Sequence, residues 1–415
     1  MSRLVVPLER ARLNLILLMA AAAFVGLHVG LFESSFNNYL SEVHQLDSSR
    51  RGILEFPREL PGFLVAVFAG ALYLLSDARA AALSMFTLSV GLIGLGYFSH
   101  TFGAMVAWMM IWSVGHHLFM PLEQSLAVTL AKDGRVGSML GKMGAATTAA
   151  TILGAAVVWV GVDHLGISFA GFFTLAALAG LLAGVALWNI QVSPGAAPAR
   201  KGPAAAASLR ERFVFRRAYG VYYLMCILFG ARKQVFLTFG PWVLVKVMGE
   251  PASTIAKLWM ASAVLGILFR PALGRLIDRI GERPVLVADA AVLALICLGY
   301  GLGPGLGWGA WGIRLAYACF VLDQLLFAVG MARTSYLKRI AVDPKDVTPT
   351  LSLGVSLDHA VSMTLPALGG LIWTHFGYPY VFVFAAAISA VNMAVCNLAR
   401  VPAQAKAATA VTHPG

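Results

Sequence analysis

Apolar runs of about 20 residues alternate along the chain with short polar or Gly/Pro-marked breaks, and the alternation occurs twelve times. A hydrocarbon core of ~30 Å is crossed by ~20 helical residues. The pattern therefore predicts an all-α integral membrane protein with twelve transmembrane helices. The spans are expected near residues 13–39, 53–75, 81–99, 104–131, 139–162 and 166–190, then near 218–245, 254–277, 284–303, 312–337, 350–374 and 378–399. The first run is too long for a cleaved signal peptide, and the polar stretch FESSFNNYLSE follows it without a small-residue cleavage pattern.

One break is unlike the rest. Residues 191–217 read QVSPGAAPARKGPAAAASLRERFVFRR, a Pro-, Ala- and Arg-rich composition expected of a flexible cytoplasmic linker. It divides the spans six and six. The expected organisation is an N-terminal six-helix bundle over 1–190, the linker over 191–217, a C-terminal six-helix bundle over 218–400 and a disordered cytoplasmic tail over 401–415.

Charge changes this picture by adding direction. Only 12% of residues are charged and the mean hydropathy is +0.79, which leaves little material for a water-soluble domain. Of the 31 Lys and Arg residues, 21 fall in the breaks and terminal segments on one face and 5 on the other. Cytoplasmic loops are enriched in Lys and Arg, so both termini are expected in the cytoplasm and the chain in the cytoplasmic (inner) membrane. The same distribution accounts for the net charge of +12 without a nucleic-acid partner, because the basic residues are spread over short loops that face anionic lipid. The four cysteines, Cys226, Cys297, Cys319 and Cys396, all lie within spans and show no metal-ligand spacing. No disulfide, metal or cofactor is expected.

The two halves resemble each other. GLHVGLFESSF from Gly26 can be laid over GARKQVFLTFG from Gly230, which sets His28 opposite Arg232 and Phe32 opposite Phe236. LGKMGAATTA from Leu140 lies over LSLGVSLDHA from Leu351, and HLGISFAGFF from His164 over HFGYPYVFVF from His375. The matches come in the same order in both halves, so two pseudo-symmetric six-helix repeats are expected, with a substrate path at the repeat interface that opens alternately to either side.

The break between the eighth and ninth predicted spans reads Gly274-Arg-Leu-Ile-Asp278-Arg-Ile-Gly281-Glu-Arg283-Pro. It resembles the G-x-x-x-D-R-x-G-R-R loop signature of the major facilitator superfamily, at the position that family uses. The corresponding loop of the first half, LYLLSDARAAAL, keeps Asp77, shifts the arginine to Arg79, puts Tyr73 where the first glycine would be and loses the second. On the eleventh span, LPALGG (365–370) is similar to the core of the family's antiporter signature. The resemblance implies a secondary transporter in which Asp278, Arg279 and Arg283 hold the cytoplasmic side closed. It also implies that the first, fourth, seventh and tenth spans line the central cavity.

A charge in hydrocarbon costs ~3 kcal/mol or more, so ionisable residues at mid-span depth face a protein interior or water. At ~1.5 Å per residue, that set comprises His28, His116, His117, Arg232, Lys233, Asp323, Asp358 and His359. Arg232 is the leading substrate-anion contact, because its planar fork of donors suits a carboxylate or phosphate. The competing reading pairs Arg232 permanently with Asp323 or Asp358. Lys233 points ~100° away and either joins the substrate site or reaches toward the eleventh span. His28, His116, His117, Phe236 and Gln324 complete the candidate substrate residues. Asp358 with His359, and Asp323, are the candidate proton-coupling residues, and each can equally be a static hydrogen-bond node. Glu33, Glu55, Arg58 and Glu59 sit near the outer ends of the first two spans and are expected to form an ion-pair network, either a gate or a brace.

The chain offers no nucleophile, metal-ligand set or phosphate loop at an interface, so an integral-membrane enzyme is not expected. The reading that fits best is a monomeric secondary active transporter, surrounded by membrane lipids, that moves a small organic solute, favoured as an anion, with the proton as coupling ion. The alternative is a proton-driven exporter of drugs or cations that uses Asp323 or Glu33 as the cation contact.

Overall fold

A computed structural model of the chain describes residues 8–64, 75–131, 135–191, 216–306 and 309–400, and all regular structure among them is helical. The first half contains α1 (Leu8–Glu42), α2 (Ser48–Ile53), α3 (Glu55–Phe63), α4 (Asp77–Tyr97), α5 (Phe102–Leu130), α6 (Val136–Val160) and α7 (Phe169–Trp188). The second half contains α8 (Gly220–Lys246), α9 (Ala252–Ile280), α10 (Glu282–Leu302), α11 (Ala310–Leu326), α12 (Gly330–Ile340), α13 (Val347–Phe376) and α14 (Tyr378–Asn397). Among the described residues, ten stretches are long and apolar enough to cross a membrane. Of the other two expected spans, one is α8, which is 27 residues long and carries Arg232 and Lys233 near its centre. In the other, residues 65–74 lie outside the described residues. So do residues 192–215 of the expected linker and the tail from 401 onward.

Local chemistry sets the ends of the helices. Ser76, Thr101 and Ser168 each turn a side-chain oxygen onto the first-turn backbone of α4, α5 and α7, at 3.4, 3.2 and 3.2 Å. Gly281, at φ 85°, makes the turn from α9 to α10 in a conformation that disfavours any Cβ. Two expected continuous spans are broken. The start of the second breaks at Leu54, between α2 and α3, because Pro57 has no N–H to give the carbonyl of Ile53. The tenth breaks at a 3-10 turn over Phe327–Val329, between α11 and α12. The fourth runs as one helix through Pro121.

The chain forms two compact units. The first comprises Met1–Leu46, Pro57–Ala206 and Gly249–Ala263, and the second Asp47–Phe56, Ala207–Met248 and Val264–Gly415. Within the first, α1 packs against α6 and α7, and α4 against α5 and α7. Within the second, α8 packs against α13 and α14, and α10 against α11 and α14. The pairing scheme of one half thus recurs in the other. Helix association in lipid relies on close backbone approach. Gly26 and Gly30 of α1 supply it by facing the backbone of Thr147 and Thr151 of α6 where no Cβ would fit.

Candidate functional site

The second unit holds the charged centre. Arg232 and Lys233 are adjacent on α8, so their side chains leave the helix ~100° apart and meet different partners. Arg232 forms an ion pair with Asp323 of α11, and their side chains are 2% and 0% exposed. Lys233 reaches the eleventh predicted span instead, where its Nζ lies 2.6 Å from Asp358 Oδ2 of α13, with the side chains 15% and 23% exposed. One pair is sealed and the other is open to its surroundings. Gly230 makes room for the second, because a Cβ there would collide with Asp358 Oδ1. Ser362 Oγ lies 3.4 Å from the same oxygen.

The sealed pair is incompletely satisfied. Arg232 Nε and Nη2 and Asp323 Oδ2 are buried without a hydrogen-bond partner. Near them is Asp289 of α10, which is 4% exposed, has no partner for Oδ1, and feels the charges of Arg232, Arg333 and Asp323. Asp289 is absent from the sequence-derived set, although a lone carboxylate in the run VLVADAAVLALI was the signal for it. Arg333 places its guanidinium 3.4 Å from the centre of the Phe229 ring, and Arg232 lies over the same ring at 5.8 Å. Gln324 and His359 are half-buried on α11 and α13. Phe236 belongs to the core. It is fully buried, with Tyr300 and Phe382 at ring-centroid distances of 5.0 and 5.7 Å, so the expected substrate contact is here a packing residue.

The expected outer network divides among different partners. Glu55 is fully buried in the second unit, where Arg51 Nη1 lies 2.5 Å from Oε1 and Gln234 Nε2 donates to Oε2 at 3.0 Å. Arg51 falls in the break between the first two expected spans, yet it is fully buried, 5.9 Å from the centre of the Trp242 ring. In the first unit, Arg58 lies 3.5 Å from Glu33, and Glu59 lies 3.8 Å from His117 Nε2.

These last residues border an aromatic row in the first unit. Phe36, Phe32, Trp112 and His116 stack in succession at centroid distances of 4.6, 4.3 and 5.3 Å. Arg58 lies over the rings of Phe36 and Trp112 at 5.8 and 5.7 Å. His28 is buried beside the row, with Trp112 Nε1 3.5 Å from its Nε2. Ser113 ties the cluster together. Its Oγ lies 3.0 Å from His117 Nδ1 and 2.5 Å from the Arg58 carbonyl oxygen. Trp112 stands at the centre of this arrangement.

Asp278 and Arg279 are exposed in the last turn of α9, and Arg283 is in the first turn of α10. By place in the fold, the counterpart of Asp77 is Glu282. Asp77 opens α4 and accepts a hydrogen bond from Ser125 of α5, while Glu282 opens α10 and accepts one from Ser335 of α12. Each carboxylate lies at a positive helix terminus.

Residues 18–340 match the family model of the Major Facilitator Superfamily. Comparison with curated proteins gives no match. Among solved structures, the nucleoside transporter NupG is similar with a TM-score of 0.75 at 13% identity, over 93% of this chain and 99% of that one. A D-xylose-proton symporter is similar with a TM-score of 0.68 at 16% identity, over 93% and 97%. A bacterial homologue of the human lysosomal transporter Spinster gives 0.69 at 14% identity, over 95% and 98%. At these identities the structural likeness is one of fold, while the family match spans most of the chain. The protein belongs to the major facilitator superfamily and is a multi-pass integral membrane transporter.

Proposed function

We propose that the protein is a proton-coupled secondary transporter of a small organic anion, working by alternating access through twelve spans arranged as two six-helix repeats, with both termini cytoplasmic. The observation that carries this reading is the contrast between the two ion pairs of α8. Arg232–Asp323 is sealed, whereas Lys233–Asp358 is accessible and therefore exchangeable. Protonation of Asp358 removes the charge that holds the Lys233 ammonium. Lys233 then takes the carboxylate or phosphate of the solute, and departure of the solute returns Lys233 to an ionised Asp358. Charge balance around the ammonium links one proton to one anion.

Proteoliposome flux tests this reading. In Asp358→Asn, solute exchange down its own gradient persists, while accumulation driven by an inward proton gradient is lost. Gradient-driven accumulation at the wild-type level in that variant would sink the proposal. Lys233→Ala loses both activities. A second reading, export of a cationic or amphipathic compound, is favoured by the aromatic row, which already seats the Arg58 cation next to Glu33. Counterflow with paired anionic and cationic solutes separates the two readings.

A further inference from the structure

A cavity of about 400 Å³ opens in the second unit at the start of α10, lined by Gly281, Glu282, Arg283, Tyr336, Arg339 and Arg400. Three separate parts of the chain bring its arginines together: the first turn of α10, the last turn of α12 and the residues just after α14. The single carboxylate in the lining is already engaged, with Arg339 Nε 2.8 Å and Ser335 Oγ 2.6 Å from Glu282 Oε1. Three guanidiniums against one carboxylate leave a positive excess. Among the described residues Arg400 makes no ion pair, and the one polar side-chain contact of Arg283 is a 3.5 Å approach to Asn397 Oδ1, at the outer limit of a hydrogen bond. The helix beneath adds to the field. No side chain caps the first turn of α10, Gly281 turns the backbone at φ 85°, and Pro284 carries no N–H, so the amides of Glu282 and Arg283 lie at the positive end of a 21-residue helix.

We propose that this cavity is an anion site for a phosphate group, held by the forked donors of Arg283 and Arg400 with Arg339 as the third positive charge. Guanidiniums favour phosphate because two parallel N–H donors match two of its oxygens. A phospholipid headgroup and a soluble phosphate compound present the same chemistry. The site lies apart from the Lys233–Asp358 pair, and the inference does not depend on the transport reading.

The test uses the full-length protein, purified and delipidated in a neutral detergent, with its melting temperature followed against inorganic phosphate, short-chain phosphatidic acid and sodium chloride at matched ionic strength. A ligand that binds the folded state raises its melting temperature with saturation. Both phosphate probes are expected to do so beyond the chloride control. Saturation at lower concentration by phosphatidic acid identifies a lipid headgroup as occupant, and equal or tighter binding of inorganic phosphate identifies a soluble one. Arg400→Gln, which alters a side chain beyond the end of α14, weakens apparent affinity about tenfold or more. Arg283→Gln with Arg400→Gln abolishes saturable binding. If neither probe exceeds chloride, or the double variant responds as the wild type does, the site is not there.

Discussion

A guanidinium and a carboxylate taken out of water together lose several kcal/mol of solvation each, and their mutual attraction offsets that only while both remain. Arg232 and Asp323 are in this position, at 2% and 0% side-chain exposure. Arg232→Ala is therefore expected to destabilise the protein by ~3–5 kcal/mol, because Asp323 is left buried without its partner. Arg232→Met combined with Asp323→Leu should recover most of that loss. Lys233→Ala, at the more exposed pair, should cost no more than ~1 kcal/mol. Thermal melts of the purified variants check all three. If Arg232→Ala melts like the wild type, the sealed pair is not a brace. Depth in the membrane, the one coordinate that counting along a helix supplies, brought Arg232, Lys233, Asp323 and Asp358 into a single set. The azimuth that assigns each base to its acid depends on how α8 is rotated against α11 and α13, and no residue pattern encodes it. Arg51 shows the complementary failure, since it looks like a loop residue until a short helix, α2, carries it into the interior beside Glu55.

At the scale of elements, close approach of α1 and α6 depends on Gly26 and Gly30, whose missing side chains admit the backbone of Thr147 and Thr151. Gly30→Leu cannot be absorbed by a side-chain rotation, because the obstacle is main chain. It should cost at least ~1–3 kcal/mol of overpacking, read as a lower melting temperature and a smaller folded yield. Gly141 is the contrasting case: it lies on the same α6, exposed, with no atom within 4 Å of an added Cβ. Gly141→Ala should be neutral or stabilise by up to ~1 kcal/mol, the helix-propensity difference. Equal destabilisation by both substitutions would mean that propensity, not packing, governs the loss. The ten spanning stretches were legible in sequence because an apolar run of 20 residues has few other uses. The break at Leu54 was less so, because its cause, Pro57, lies three residues further on within a segment that resumes as helix.

For the molecule as a whole, the recurrent pairing scheme and the bias of basic residues bear on one question, the path of the chain through the membrane. Breaks of even order in a twelve-span chain with cytoplasmic ends face inward, and those breaks together with the two terminal segments carry 21 of the 31 basic residues. Cysteine labelling reads this path directly. The four native cysteines are all buried, so they contribute little background. His100 and Arg79 in the first half, and Lys246 and Lys345 in the second, are exposed at or near helix ends. A membrane-impermeant maleimide applied to intact cells should label His100→Cys and Lys246→Cys, whereas Arg79→Cys and Lys345→Cys should react only after permeabilisation. Reversal at all four positions would mean either that the whole orientation is inverted or that the second segment does not cross. Reversal in one half alone would require an odd number of crossings between the halves. The second span enters here, because its residues 65–74 lie outside the described residues: if they do not cross while every other span does, Arg79 falls on the same side as Ser48, so Arg79→Cys labels in intact cells and His100→Cys, at the far end of α4, does not.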